Sequence, residues 1–191
     1  MENAPLNIRE DVEVEDVEED QYLVFVTKDQ EFAIQGMRIT EISAPMPMTK
    51  VPGTRSYIEG IINLRGRLVS VIDFRKKFGF ESKAPDEDTR IMMVEYGGYP
   101  IGVIVDQVEE VIKIPSEKVQ GLPDGIAAPA SEKFIRGVGM LENRLIILLD
   151  ADKLLTATEL KDLEATKQAI ESVMNMKNPG GGGVDDAGRP A

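Results

Sequence analysis

Residues Tyr57 to Gly79 read YIEGIINLRGRLVSVIDFRKKFG, and residues Phe134 to Leu155 read FIRGVGMLENRLIILLDADKLL. Laid over each other at an offset of 77, the two keep register. Tyr57 meets Phe134, Ile58 meets Ile135, Gly60 meets Gly137, Leu64 meets Leu141, Arg67 meets Arg144, Leu68 meets Leu145 and Asp73 meets Asp150. Upstream, at an offset of 69, Phe32, Ile34, Ile39, Glu41 and Ile42 meet Ile101, Val103, Val108, Glu110 and Val111. The difference is absorbed by the longer second linker around LPDGIAAPASEK. Glycine, aspartate and apolar positions recur together, so the chain holds an internal repeat of roughly 70 residues.

The repeated segment predicts its own local structure. Ile61 to Leu64 and Leu68 to Ile72 are apolar runs around Arg65, Gly66 and Arg67; Val138 to Leu141 and Leu145 to Leu149 flank Glu142, Asn143 and Arg144. Gly66 and Asn143 share one place, and both tolerate the positive φ of a tight hairpin. Asp73 and Asp150 follow the second strand of each hairpin. There a carboxylate can cap a short helical turn, and Gly79 is placed to end the first such turn. Further strands are expected at Tyr22 to Thr27, Glu31 to Ile34, Met37 to Ala44, Arg90 to Tyr96, Tyr99 to Val105 and Val108 to Ile114, with a hairpin at Gly97-Gly98. Pro45, Pro47 and Pro52 stop any strand beyond Ala44.

The ends differ in character. Residues 1–19 are acidic and aperiodic, which predicts a disordered tail; residues 178–191, NPGGGGVDDAGRPA, predict a flexible Gly-rich one. A C-terminal helix is expected over 158–177. Thr156 and Glu159 form its capping box, and Leu160, Leu163, Ile170, Val173 and Met174 form an apolar stripe interrupted by Lys167. Net charge is −12, but residues 1–20 alone carry nine acids and one base, so the repeat region is close to neutral. No basic footprint for nucleic acid is present.

Chemistry is sparse. The 191 residues include no cysteine and no histidine, which removes thiolate sites and the commonest base and zinc ligand. Asp73 and Asp150 could suggest a two-carboxylate site, but their equal places in the repeat favour caps. Gly97-Gly98 lacks the context of a phosphate loop, and Glu109-Glu110 and Asp86-Glu87-Asp88 lack EF-hand spacing. Met46, Met48, Met92 and Met93 read as core or mixed use. No cofactor is expected, and no apolar run reaches the roughly 20 residues of a membrane span. The one concentrated cationic feature is Arg65, Arg67, Arg75, Lys76 and Lys77. Arg65 sits in a turn whose repeat mate is Glu142, so the two copies diverge in charge at a shared place.

Three segments, Tyr57 to Gly79, Tyr99 to Ile112 (YPIGVIVDQVEEVI) and Phe134 to Leu155, resemble in order and spacing the signature of CheW-like domains. The resemblance covers about residues 20–157. It implies a mainly β fold of two intertwined five-stranded SH3-like barrels, the first about 20–85 and the second about 88–157. It further implies a cytoplasmic, non-enzymatic adaptor at receptor arrays, joining the cytoplasmic tips of methyl-accepting chemoreceptors to the regulatory domain of the histidine kinase CheA. Arg65 matches the family's arginine in the NLRG turn, and Glu41 its acid before the third strand's isoleucine. An exposed Glu41–Arg65 ion pair beside the partner contacts is therefore expected, with Arg67 in the same surface. A small-ligand or metal enzyme and a nucleic-acid-binding barrel are the alternatives, disfavoured by residue inventory and charge.

Overall fold

The computed structural model describes residues 20–122 and 133–177. The tails expected over 1–19 and 178–191, and most of the second linker, lie outside them. The chain forms β1 (Asp20–Thr27), β2 (Gln30–Gln35), β3 (Ile39–Ser43), β4 (Ile58–Leu64), β5 (Arg67–Asp73), α1 (Phe74–Lys77), β6 (Arg90–Tyr96), β7 (Tyr99–Val105), β8 (Gln107–Ile114), β9 (Val119–Gln120), β10 (Ile135–Leu141), β11 (Arg144–Leu149) and α2 (Ala157–Lys177). Two sheets result, ordered β3-β6-β7-β5-β4 and β8-β1-β2-β11-β10-β9.

That order intertwines the two barrels, as the resemblance implies. The β1–β2 hairpin leaves its own half and joins β8 and β11, while its repeat mate β6–β7 joins β3 and β5. The joins to β11 and β5 are parallel, with Ile147 opposite Phe32 and Val71 opposite Gly102. The two halves therefore exchange hairpins. The physical basis is visible in the exchanged strands, which are apolar on both faces. Tyr22, Val24 and Ala33 fill one barrel with Ile114, Ile146 and Leu148, while Leu23, Phe25, Phe32 and Ile34 face the core between the barrels. In the other barrel Ile91, Met93, Val69 and Val71 stand where their repeat mates Tyr22, Val24, Ile146 and Leu148 stand in the first. The shared core holds every phenylalanine of the chain in one run of ring contacts. Phe25, Phe32 and Phe74 meet at 5.0–5.7 Å between centroids, Phe78 bridges Phe74 and Phe134 at 4.3 Å, and Phe80 reaches Phe32 at 6.3 Å.

The repeated glycines now have a cause. β4 and β10 each carry a register shift at Gly60 and Gly137, where a neighbouring backbone crosses closely. A Cβ on Gly60 would lie 2.5 Å from the Thr49 carbonyl oxygen, and one on Gly137 would lie 2.6 Å from that of Gln120. The caps form as expected. Asp73 accepts from the Lys76 N–H and Asp150 from the Asp152 N–H. After α1, Phe80 N–H donates to Arg75 C=O at 2.8 Å and Gly79, at φ 76, donates to Lys76 C=O at 3.4 Å, a Schellman closure. At the β10–β11 turn, however, positive φ falls on Glu142 (φ 53), the mate of Arg65.

α2 begins at Ala157, one residue earlier than expected, and its capping box closes both ways. Thr156 N–H donates to Glu159 Oε2 at 2.8 Å, and Glu159 N–H to Thr156 Oγ1 at 3.2 Å. The helix then lies along β5. Leu163 is buried, and Leu160 packs partly buried against the shared core. Val173 and Met174, expected on the same stripe, are exposed instead.

Candidate partner-binding surface

Arg65 and Gly66 are the two turn residues of the β4–β5 hairpin, at φ 53 and 82, between the paired Leu64 and Arg67. This is the geometry of a type I′ turn, which favours Asn-Gly. Gly66 N–H donates to Asn63 Oδ1 at 2.8 Å and fixes the turn from inside. Arginine stands here against its backbone preference, at about 1 kcal/mol. Glu41 lies on β3, at the far edge of the same sheet. Arg65 Nη2 donates to Glu41 Oε1 at 3.2 Å, so the expected ion pair forms and ties the sheet's two edges. The Arg65 side chain is 80% exposed and that of Glu41 26%. Such a pair adds only about 0–1 kcal/mol. Arg67 is also exposed and has no ion-pair partner among the described residues.

The repeat mates are arranged differently. Arg144, the mate of Arg67, meets Glu110, the mate of Glu41, at 2.7 Å, and also Glu31 at 2.5 Å and Glu109 at 3.4 Å. Hydrogen bonds donated to Glu31 and Glu110 push the guanidinium above its ordinary value. One barrel thus presents arginine charge at its hairpin tip, while the other folds its arginine into a ring of acids and presents Glu142. The Glu41/Glu110 and Arg67/Arg144 matches were legible in the repeat; the recruitment of Glu31 depends on the hairpin exchange and was not.

A second cluster was missed at sequence level. Glu159 is buried and accepts from the Tyr57 hydroxyl at 2.7 Å and from Lys77, whose ammonium lies 4.5 Å from the Tyr57 ring centroid. Burial opposes its ionisation, yet Lys77, the Thr156 N–H and the Tyr57 hydroxyl together bring Glu159 down to about 2. Burial first, then the Glu159 contact, raise the Tyr57 hydroxyl well above its usual value. The cluster locks the start of α2 to α1. From there the helix runs towards the Arg65 hairpin, where Glu171, Met174 and Asn175 face Asn63, Gly66 and Leu68 across a small groove.

The charged groups beside α1 pair with one another. A cavity of about 300 Å³ beside α1 is lined by Glu59, Asp73, Arg75, Lys76, Lys83 and Asp106, among others. Arg75 grips Asp106 in a two-pronged bond at 2.7 and 2.5 Å, Lys76 meets Glu59, and Lys83 meets Asp86 at 2.6 Å. Burial raises the Asp73 carboxyl, which serves as a cap. Among the described residues no group of three or more acids could hold a metal ion, and no helix is long and apolar enough to cross a membrane.

Comparison with known proteins agrees with this picture. The family described as the CheW-like domain matches residues 21–159. The chemotaxis protein CheW of Klebsiella aerogenes is 31% identical over 73% of this chain and 84% of its own length. That of Bacillus subtilis is 31% identical over 78% and 90%. The crystal structure of the scaffolding protein TtCheW from Thermoanaerobacter tengcongensis superimposes with a TM-score of 0.66, at 31% identity, covering 73% of this chain and 94% of that one. With the repeat, the paired barrels and relatives at this identity over most of their length, the chain belongs to the CheW-like family.

Proposed function

We propose that this chain is a chemotaxis scaffold that holds chemoreceptor cytoplasmic tips and the regulatory domain of the histidine kinase CheA in one assembly. Membership of a family of non-catalytic scaffolds makes it a binding protein rather than an enzyme. The observation that carries the reading is Arg65, an exposed arginine held at positive φ on a hairpin tip, paired to Glu41 and flanked by exposed Arg67, which has no ion-pair partner among the described residues. A residue that disfavours its own backbone and adds little stability is explained by contact with a partner. Glu41, Arg65 and Arg67 form the proposed contact surface, and the charge difference between Arg65 and Glu142 supports different partners for the two hairpin tips.

The test is a Arg65→Glu variant assayed with kinase and receptor. Melting is expected to stay within the small effect of an exposed pair, while binding and kinase control fall. Full kinase control by the variant would remove this surface from the account.

A further inference from the structure

The repeat makes the outer faces of the β4–β5 and β10–β11 hairpins equivalent, but α2 covers only the first. There Leu68, half-buried, and Asn63, exposed, form a cross-strand pair that faces Met174 across a small groove, and Ser70 is buried beside Leu160 and Leu163. The equivalent residues in the second barrel are Leu145, Met140 and Ile147. Met140 and Leu145 pair across the strands, and they are 46% and 56% exposed. The more apolar of the two equivalent faces is thus the open one, and on its sister the chain already shows what fits: one helix lying along the second hairpin strand.

The same helix carries a free apolar stripe. Ala169, Val173 and Met176 fall at i, i+4 and i+7, on the side of α2 away from Leu163. Val173 is 56% exposed and Met176 80% exposed. The charges match too. Lys167 and Glu171 pair with each other, which leaves Lys177 as the uncompensated charge on the distal half of α2, whereas Glu31, Glu109, Glu110 and Glu142 outnumber Arg136 and Arg144 at the open hairpin.

We propose that the outer stripe of α2 docks on the open β10–β11 face of a second copy of this chain. The helix need not leave its own barrel, because Glu159 holds its start and the inner stripe stays seated. Each chain offers one donor stripe and one acceptor face, and these are two different surfaces.

Two variants test this with the full chain alone, without kinase or receptor, so the outcome is independent of the proposed function. Leu145→Asp removes the acceptor face; Val173→Asp with Met176→Asp removes the donor stripe. All three positions are exposed, so thermal melts should match the parent. Sedimentation across roughly 1 µM to 1 mM, the span of weak to moderate association, should show parent mass rising with concentration. Each variant should stay monomeric alone, and an equimolar mixture should regain a dimer, since each variant supplies the surface the other lacks. A parent that stays monomeric throughout, association that survives either variant, or a mixture that stays monomeric would overturn the proposal.

Discussion

Replacing Glu159 by glutamine removes the charge from the cluster that fixes α2 to α1. The parent carboxyl falls from an ordinary 4.5 to about 2, with burial opposing ionisation and Lys77, Thr156 and Tyr57 overcoming it. At 1.36 kcal/mol per unit this corresponds to about 3 kcal/mol of folding stability. The group is buried, so solvent screening takes little from it. Glutamine keeps the capping-box geometry but leaves the largely buried Lys77 ammonium without its anion. A loss of about 2–3 kcal/mol follows, or about 5–10 °C in Tm for a domain of this size. The sign with pH is set by the depressed carboxyl. Its contribution is complete above the unfolded value near 4.5 and disappears as pH falls through about 2. Melts followed by circular dichroism at pH 7 and at steps down to pH 2 should therefore show two curves that converge in acid. A variant with the parent Tm at neutral pH, or a gap that does not narrow on acidification, would refute the electrostatic reading of this cluster.

Other substitutions separate structural from functional roles. Gly60→Ala and Gly137→Ala should each cost about 1–3 kcal/mol or more, because the new methyl meets a carbonyl oxygen at 2.5–2.6 Å; Gly53→Ala, with no neighbour within 4 Å, meets no such contact but keeps a strained φ of 80. Urea unfolding resolves the difference. Arg65→Asn should hold or raise stability by up to about 1 kcal/mol, since Asn-Gly suits the turn, while weakening partner binding. Equal loss of stability and binding would make Arg65 a structural residue. Fragments 20–85 and 88–177 should each be unfolded alone and fold when mixed, because each lacks the hairpin that completes its sheet. A separately folded fragment would contradict the exchange.

The limits of the sequence follow from the same geometry. A repeat identifies which residues are equivalent, so the hairpins, the two aspartate caps and the glycines at the bulges were all legible. It says nothing about which copy of a strand a neighbour pairs with, because Tyr22–Val24 and Ile91–Met93 suit either barrel. The repeat alone therefore left open which hairpin is exchanged in the intertwined barrels, and with it the Glu31 contact to Arg144. The β1–β2 turn places Lys28 and Asp29 at φ 49 and 57 without a glycine to announce it. Helical periodicity identified α2 and its capping box but assigned Val173 and Met174 to the buried stripe. Only the path of the helix along β5 shows that its distal half has two apolar sides. Of the candidate site, the Glu41–Arg65 pair formed where the family resemblance implied it, and the Glu159 cluster lay hidden because Tyr57, Lys77 and Glu159 meet only through tertiary packing.

Calorimetric titration of the purified chain with a kinase regulatory domain, then with a receptor tip, addresses the scaffold most directly. Saturable binding of both by one chain, with the kinase or receptor step weakened by Arg65→Glu at unchanged fold, is the expected result. Heat-silent titrations with both partners, from protein that melts cooperatively, would contradict it.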